Sequence, residues 1–163
     1  MIRLIAAIDR RRGLAKQGAM PWHIPEDERY FTEQTKTHGG HVLTGGVTFR
    51  EAYKSKPLAG RHNYILTHDT TPIEDAVLVH DLAVFLEDFK DRDLWVAGGT
   101  QVFEEIIRAG KADELYLTHI DANFDCDQFF LPYKDNFKLA ELSAPHHQNG
   151  LTFRYARYAK TVA

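Results

Sequence analysis

In the run Pro25-Glu26-Asp27-Glu28-Arg29-Tyr30-Phe31 three carboxylates stand in a row, but helical spacing separates them. Asp27 shares a helix face with Tyr30, Phe31 and Gln34, at i+3, i+4 and i+7, whereas Glu26, Glu28 and Arg29 are expected to face solvent. A carboxyl on the aromatic side of a helix is partly desolvated unless a partner compensates it. Spacing alone also allows a structural role, because a first-turn acid complements the helix dipole. Two glycine pairs raise a second possibility. Gly45-Gly46 follows Val42-Leu43-Thr44, and Gly98-Gly99 follows Trp95-Val96-Ala97; each precedes a predicted helix. Glycine admits close backbone approach, and a helix N-terminus presents N–H groups to phosphate. Tight strand-to-helix packing would explain either pair alone; two pairs at strand C-terminal ends of one sheet suggest a ligand crevice. Arg61 ends the turn Pro57-Leu58-Ala59-Gly60-Arg61, where a guanidinium could fork onto a carboxylate or simply be solvated.

Other chemistries lack their residue patterns. The sequence has no GxGxxG, no GK[ST] phosphate loop and no GxSxG nucleophile elbow. The nine histidines form no metal-ligand spacing, and Asp121 to Asp127 lacks the glycine and terminal glutamate of a calcium loop. No metal is expected.

The elements that must position these groups are short and regularly punctuated. Strands are predicted at Ile2 to Ile8, Val42 to Thr44, His62 to Thr67, Ala76 to Val79, Leu94 to Ala97, Glu114 to Ile120, Phe137 to Leu142 and Leu151 to Ala159. Helices are predicted from Pro25 to about Thr37, from about Val47 to Lys54, after the N-cap Asp81 with Leu82, Phe85, Leu86 and Phe89 on one face, and after a capping Thr100, with Gly110 as its stop. Asp9 to Ala19 reads as a polar loop, and Asn149-Gly150 as the turn of a terminal antiparallel pair. Alternating strands and helices define an α/β class: a central eight-stranded mixed, mostly parallel sheet flanked by four helices.

The composition sets outer limits. The 163 residues are 44% apolar and 26% charged, which predicts one compact domain over 1–163. A net charge of −3 argues against a nucleic-acid binder relying on bulk charge. Cys126 is alone and cannot form an internal disulfide. No apolar run reaches the roughly 18 residues of a membrane span. The opening MIRLIAAI lacks a secretory-signal pattern, and a cytoplasmic location is expected; separately, the chain is expected to be a monomer.

Taken in order, these segments resemble the dihydrofolate reductase family. The resemblance rests on Ala19-Met20-Pro21-Trp22 with Ile24-Pro25-Glu26-Asp27, on Thr48-Phe49 after the first glycine pair, and on Pro57 to Arg61. Trp95 to Phe103, Leu115-Tyr116-Leu117-Thr118-His119-Ile120 and Asp127 extend it over nearly the whole chain. It implies NADPH-dependent reduction of 7,8-dihydrofolate to 5,6,7,8-tetrahydrofolate, by hydride transfer to pterin C6 and protonation at N5. It further implies that Asp27 and Thr118 bind the pterin, that Trp22 holds ordered water near Asp27, and that the loop around Met20 closes the site. Ala7, Phe31, Leu58 and Arg61 would complete the substrate site, Arg61 clamping the glutamate α-carboxylate. Ala7, Gly45, Gly46, Thr48, Thr67, His68, Gly98, Gly99, Thr100, Gln101, Val102 and Phe103 would hold the cofactor. Gly46 departs from the family pattern, which usually has a basic residue there reaching the cofactor phosphates; Phe103, Ala15, Glu28, Glu51 and Ala52 also depart. Two other readings share the fold: the reductase of riboflavin synthesis, acting on a ribosylated pyrimidine, and a non-catalytic folate- or nucleotide-binding relative.

Overall fold

The computed structural model describes residues 1–161. The central strand is β1 (Ile2–Ile8), fully internal and parallel to both its neighbours. On one side lie β6 (Leu94–Val96), β3 (His41–Gly45), β4 (His62–Leu66) and β5 (Ala76–Val79), all parallel. On the other lies β7 (Glu114–Ile120), followed by the antiparallel β11 (Leu151–Lys160). The last position is shared by two segments along β11: β10 (His146–Gln148) pairs with its first half and β9 (Phe137–Leu142) with its second. This makes eight strand positions, mostly parallel, as the pattern predicts.

Side-chain alternation distributes the helices over both faces. Leu4, Leu43 and Val96 belong to the core formed with α3 (Leu82–Asp88) and α4 (Thr100–Arg108) through Phe85, Leu86, Phe103 and Ile106. Their neighbours Ile5, Val42 and Trp95 point the other way and pack with Tyr30 and Phe31 of α1 (Pro25–Thr35) and with Leu58. One residue of register along each strand thus separates the two cores.

Several boundaries differ from the sequence reading. α1 stops at Thr35, whose hydroxyl donates back to the Phe31 carbonyl at 2.8 Å, and Gly39 and Gly40 then take positive φ. α2 (Gly46–Glu51) starts one residue early and ends before Lys54 and Ser55, which adopt the left-handed region at φ 53° and 60°. Asp81 caps α3 as expected, accepting the Val84 N–H at 3.1 Å. Thr100 does not cap α4: Gly99 occupies the cap position and Thr100 is the first helical residue. The Asp9 to Ala19 loop contains β2 (Gly13–Ala15), paired with β8 (Gln128–Phe129) in a separate two-stranded sheet.

Asp9 anchors that loop. Its buried carboxylate accepts the N–H groups of Gly13 at 2.7 Å, Arg11 at 2.9 Å and Phe124 at 3.1 Å. Burial alone would raise its pKa, but these donors outweigh burial and hold it below the ordinary carboxylate value. A depressed pKa contributes stability above the unfolded value, lost as pH falls through the folded one. Asp9→Ala should cost about 2–3 kcal/mol near neutrality by leaving buried N–H groups unpaired. Urea denaturation checks this, and the gap from wild type should shrink below pH of about 4.

Candidate active site

The parallel strands end along one edge, and the functional side chains gather there. Ala7, near the end of β1, faces Thr118 of β7 in register, and Thr118 in turn faces Tyr155 of β11. The Thr118 side chain is 2% exposed, and its hydroxyl donates to Asp27 Oδ1 at 2.6 Å. Asp27 itself stands in the first turn of α1, which opens with Pro25 and has no side-chain N-cap. The end of the helix is held from outside instead: Gln148 Oε1 of β10 accepts the Glu26 N–H at 2.7 Å, and Asn149 Nδ2 donates to the His23 carbonyl at 2.8 Å. Glu26 is therefore not an ordinary solvent-facing charge; its carboxylate lies 3.1 Å from His146 Nδ1.

Burial raises the Asp27 pKa to about 6; the Thr118 hydrogen bond opposes the rise, and Glu28 and Glu26 add to it. Behind Asp27, Tyr30 and Tyr155 stack with centroids 3.9 Å apart, and burial pushes the Tyr30 hydroxyl up to about 12. The Trp22 Nε1 and the Tyr155 hydroxyl are buried with no partner among the described residues. Trp22 packs edge-on to Phe124, at 5.3 Å, in a cluster with Ala7 and Tyr155. Farther along α1, Phe31 packs with Leu58. Arg61 donates to Thr35 Oγ1 at 2.9 Å and to the Ala59 carbonyl at 3.0 Å, and faces no carboxylate within 4 Å among the described residues.

A cleft of about 1140 Å³ opens at Ala7, the strand neighbour of Thr118. Ala7, Met20, Gly46, Thr48, Thr67, His68, Gly98, Gly99, Thr100, Gln101, Val102 and Phe103 all line it. Gly45 does not; it packs beneath, where a Cβ would meet Val102 Cγ2 at 3.0 Å. Asp27, Trp22, Phe31, Leu58, Arg61 and Thr118 also lie off its lining, beyond Ile5, Ala7 and Tyr53. Phe103 reaches the cleft but is mainly a core residue, 3% exposed and 5.3 Å from the Phe130 ring. The loop bearing Met20 is tied down at one end by the Gln17 N–H, which donates to Asp127 Oδ2 at 2.9 Å. Opposite, Glu51 of the segment that follows the first glycine pair closes on Gly18, where a Cβ would fall 2.8 Å from Oε2.

The middle of the cleft fits a pyrophosphate. The first intrahelical bond of α4 runs from Phe103 N–H to Gly99 O, so the N–H groups of Thr100, Gln101 and Val102 point out of the helix end. Gly98 adopts φ 134°, and any Cβ on Gly99 would strike the Thr48 hydroxyl. Only glycine leaves that approach open. The sequence reading missed Arg50, Tyr53 and Tyr155. Tyr53 had no periodic signal, although burial pushes its hydroxyl up to about 12.

The family model described as dihydrofolate reductase matches residues 1–160. A dihydrofolate reductase of Aedes albopictus is 27% identical, covering 96% of each chain. One from Staphylococcus aureus is 33% identical, over 80% of this chain and 77% of its own. The solved structure of dihydrofolate reductase from Enterococcus faecalis, complexed with NADP(H) and RAB-propyl, superposes with a TM-score of 0.87 at 27% identity, covering 99% of this chain and 97% of that one. The chain belongs to the dihydrofolate reductase family.

The raised Asp27 pKa has a consequence for stability. The folded state resists ionising this carboxyl, so stability falls as pH rises from about 4 through 6. Asp27→Asn, which keeps an oxygen for the Thr118 hydroxyl, should stabilise the fold by about 1–3 kcal/mol at pH 8. The advantage should vanish below pH of about 4, as measured by urea denaturation at both pH values.

Proposed function

We propose that the chain reduces 7,8-dihydrofolate to 5,6,7,8-tetrahydrofolate with NADPH. The observation that carries this reading is the partly buried Asp27 carboxyl, hydrogen-bonded to Thr118, whose strand neighbour Ala7 lines the glycine-rich cleft. A carboxylate with one short donor still has lone pairs for the 2-amino group and ring nitrogen of a pterin. With its pKa near 6, Asp27 carries charge at neutral pH and favours a protonated ring. Trp22 Nε1, buried and unpartnered, can orient a water or a ring acceptor beside it. Phe31 and Leu58 form an apolar wall between the acid and Arg61, which suits the benzoyl spacer of a folate. Arg61 spends Nε and Nη1 on Ala59 and Thr35, fixing the guanidinium plane so that Nη2 can meet the glutamate α-carboxylate.

When bound, NADPH supplies the hydride that passes from nicotinamide C4 to pterin C6. The protein's part is orientation and water exclusion. The N–H groups at the start of α4 and the Thr48 hydroxyl would hold the pyrophosphate, Ala7 and Phe103 would border the nicotinamide, and Thr67 and His68 would lie at the adenosine end. The Met20 loop, held through Gln17 and Asp127, would shield the hydride path while a proton reaches N5. Asp27 with Arg61 favours a folate over a ribosylated pyrimidine, which carries no tail carboxylate for Arg61 to clamp.

Asp27→Asn should lower turnover at pH 7 by about 10²-fold or more while the fold persists; loss of cofactor absorbance with dihydrofolate present is the assay. Near-wild-type turnover would remove Asp27 from the mechanism, and turnover of a ribosylated pyrimidine alone would favour the riboflavin-type activity. Arg61→Leu should weaken dihydrofolate binding by about 2–5 kcal/mol and affect a pterin without the glutamate tail far less. Calorimetric titration with the two ligands separates the clamp from a structural role, which would penalise both equally.

A further inference from the structure

The adenosine end of the cleft contains a cation that sequence spacing did not single out. Gly46 begins α2, and Arg50 lies one turn later. Side chains on a helix lean toward its N-terminus and cover the residue four positions earlier. Arg50 follows this rule: a Cβ built on Gly46 would lie 3.2 Å from Arg50 Nη1, 3.2 Å from the Leu66 carbonyl and 3.3 Å from Thr67 Cβ. The guanidinium therefore occupies the volume a side chain at position 46 would need, against the end of β4.

Two further observations give this placement a ligand. Arg50 is the one arginine or lysine lining the cleft among the described residues, whereas Glu51, Asp69, Glu105 and Asp127 all line it. Its only partner among them is weak: Asp69 Oδ2 lies 3.6 Å from Nη1, with the two side chains 71% and 53% exposed. Exposed pairs of this length contribute little, so the fork can be transferred to a better anion. A phosphate monoester offers more charge and three acceptor oxygens, which match a guanidinium bidentately. Asp69 opposes such a ligand and suits a free ribose hydroxyl instead.

We propose that Arg50, laid over Gly46, selects the phosphorylated dinucleotide by taking the 2′-phosphate of NADPH in exchange for Asp69. The inference rests on the NADPH reading above and adds the residue that sets the preference. Asp69 limits that preference by repelling the same phosphate.

The test is equilibrium binding to the intact protein without folate. NADPH, NADH, 2′,5′-ADP and 5′-AMP are titrated calorimetrically into wild type, Arg50→Gln, Arg50→Lys and Asp69→Asn, with circular dichroism confirming each fold. Arg50→Gln should weaken NADPH and 2′,5′-ADP at least tenfold while NADH and 5′-AMP stay within twofold. Arg50→Lys should recover part of the loss, and Asp69→Asn should tighten 2′,5′-ADP about threefold. Equal losses for NADPH and NADH would make Arg50 a pyrophosphate or helix residue and overturn the proposal, as would unchanged NADPH binding, which would point to His68. Dinucleotide discrimination that depends on Arg50 without dihydrofolate turnover would overturn the folate reading alone. Turnover with discrimination unaffected by Arg50 would overturn only the present inference.

Discussion

The 2.6 Å hydrogen bond from Thr118 to Asp27 joins the first helix to the strand beside the centre of the sheet, and the rest of the site is arranged around it. One hydroxyl does not replace the water a carboxylate loses, which is why burial wins and the pKa rises to about 6. The fold therefore carries an unfavourable local term at neutral pH, and distant elements must hold α1 in place against it. The β10–β11 hairpin does so through Gln148 and Asn149, which bind the helix entry where no N-cap side chain exists. Thr118 is equally constrained, lying in register between Ala7 and Tyr155 on strands of opposite sense. Displacing β11 would loosen both ends of the hydrogen bond at once.

Local patterns exposed much of this plan. Ile2–Ile8, the one-faced apolar repeat of α3 and the Asp81 cap are short-range features, and they occur where period and capping chemistry require. The face shared by Asp27, Tyr30 and Phe31 was likewise readable, because i+3 and i+4 neighbours meet in any helix. The resemblance then turned an acid on an aromatic face into a named role, which periodicity could not do. What remained hidden depends on contacts between segments far apart in the chain. The β2–β8 pairing joins residues over a hundred positions apart, and two- or three-residue strands carry no period. β10 is equally short, and its histidines look polar until Phe153 stacks on His146. Thr100 shows the opposite error: threonine suits a cap, but the glycine before it already holds the extended conformation there.

The cleft also shows how a chain of net charge −3 can bind a polyanion. The proposed phosphate-binding part would use backbone N–H groups at the start of α4, which present partial positive charge regardless of side-chain composition. Affinity for a pyrophosphate thus needs no lysine or arginine nearby. Selectivity between dinucleotides differing by one phosphate does need a group that responds to that phosphate, and a single exposed guanidinium among several carboxylates is sensitive in that way.

The placement of the cations follows from the acid they must avoid. A positive charge within about 4–6 Å of Asp27 would stabilise its ionised form and pull its pKa back toward the ordinary range. The groups that shift Asp27 are its own burial, Thr118, Glu28 and Glu26, with no arginine or lysine among them. Arg61 stands beyond Phe31 and Leu58, tied to Thr35 at the far end of α1, and Arg50 stands at the opposite limit of the cleft, over Gly46. Each can grip an anionic terminus of a ligand while the region between them stays free of permanent cations. Two ligands that meet ring to ring, each with its anionic groups directed away from the acid, fit that division, because binding energy is drawn far from Asp27 and the carboxyl keeps the proton affinity that burial gives it. A short ligand carrying its charge next to the ring would have to bring its anion toward Asp27, against the acid and both of its flanking glutamates.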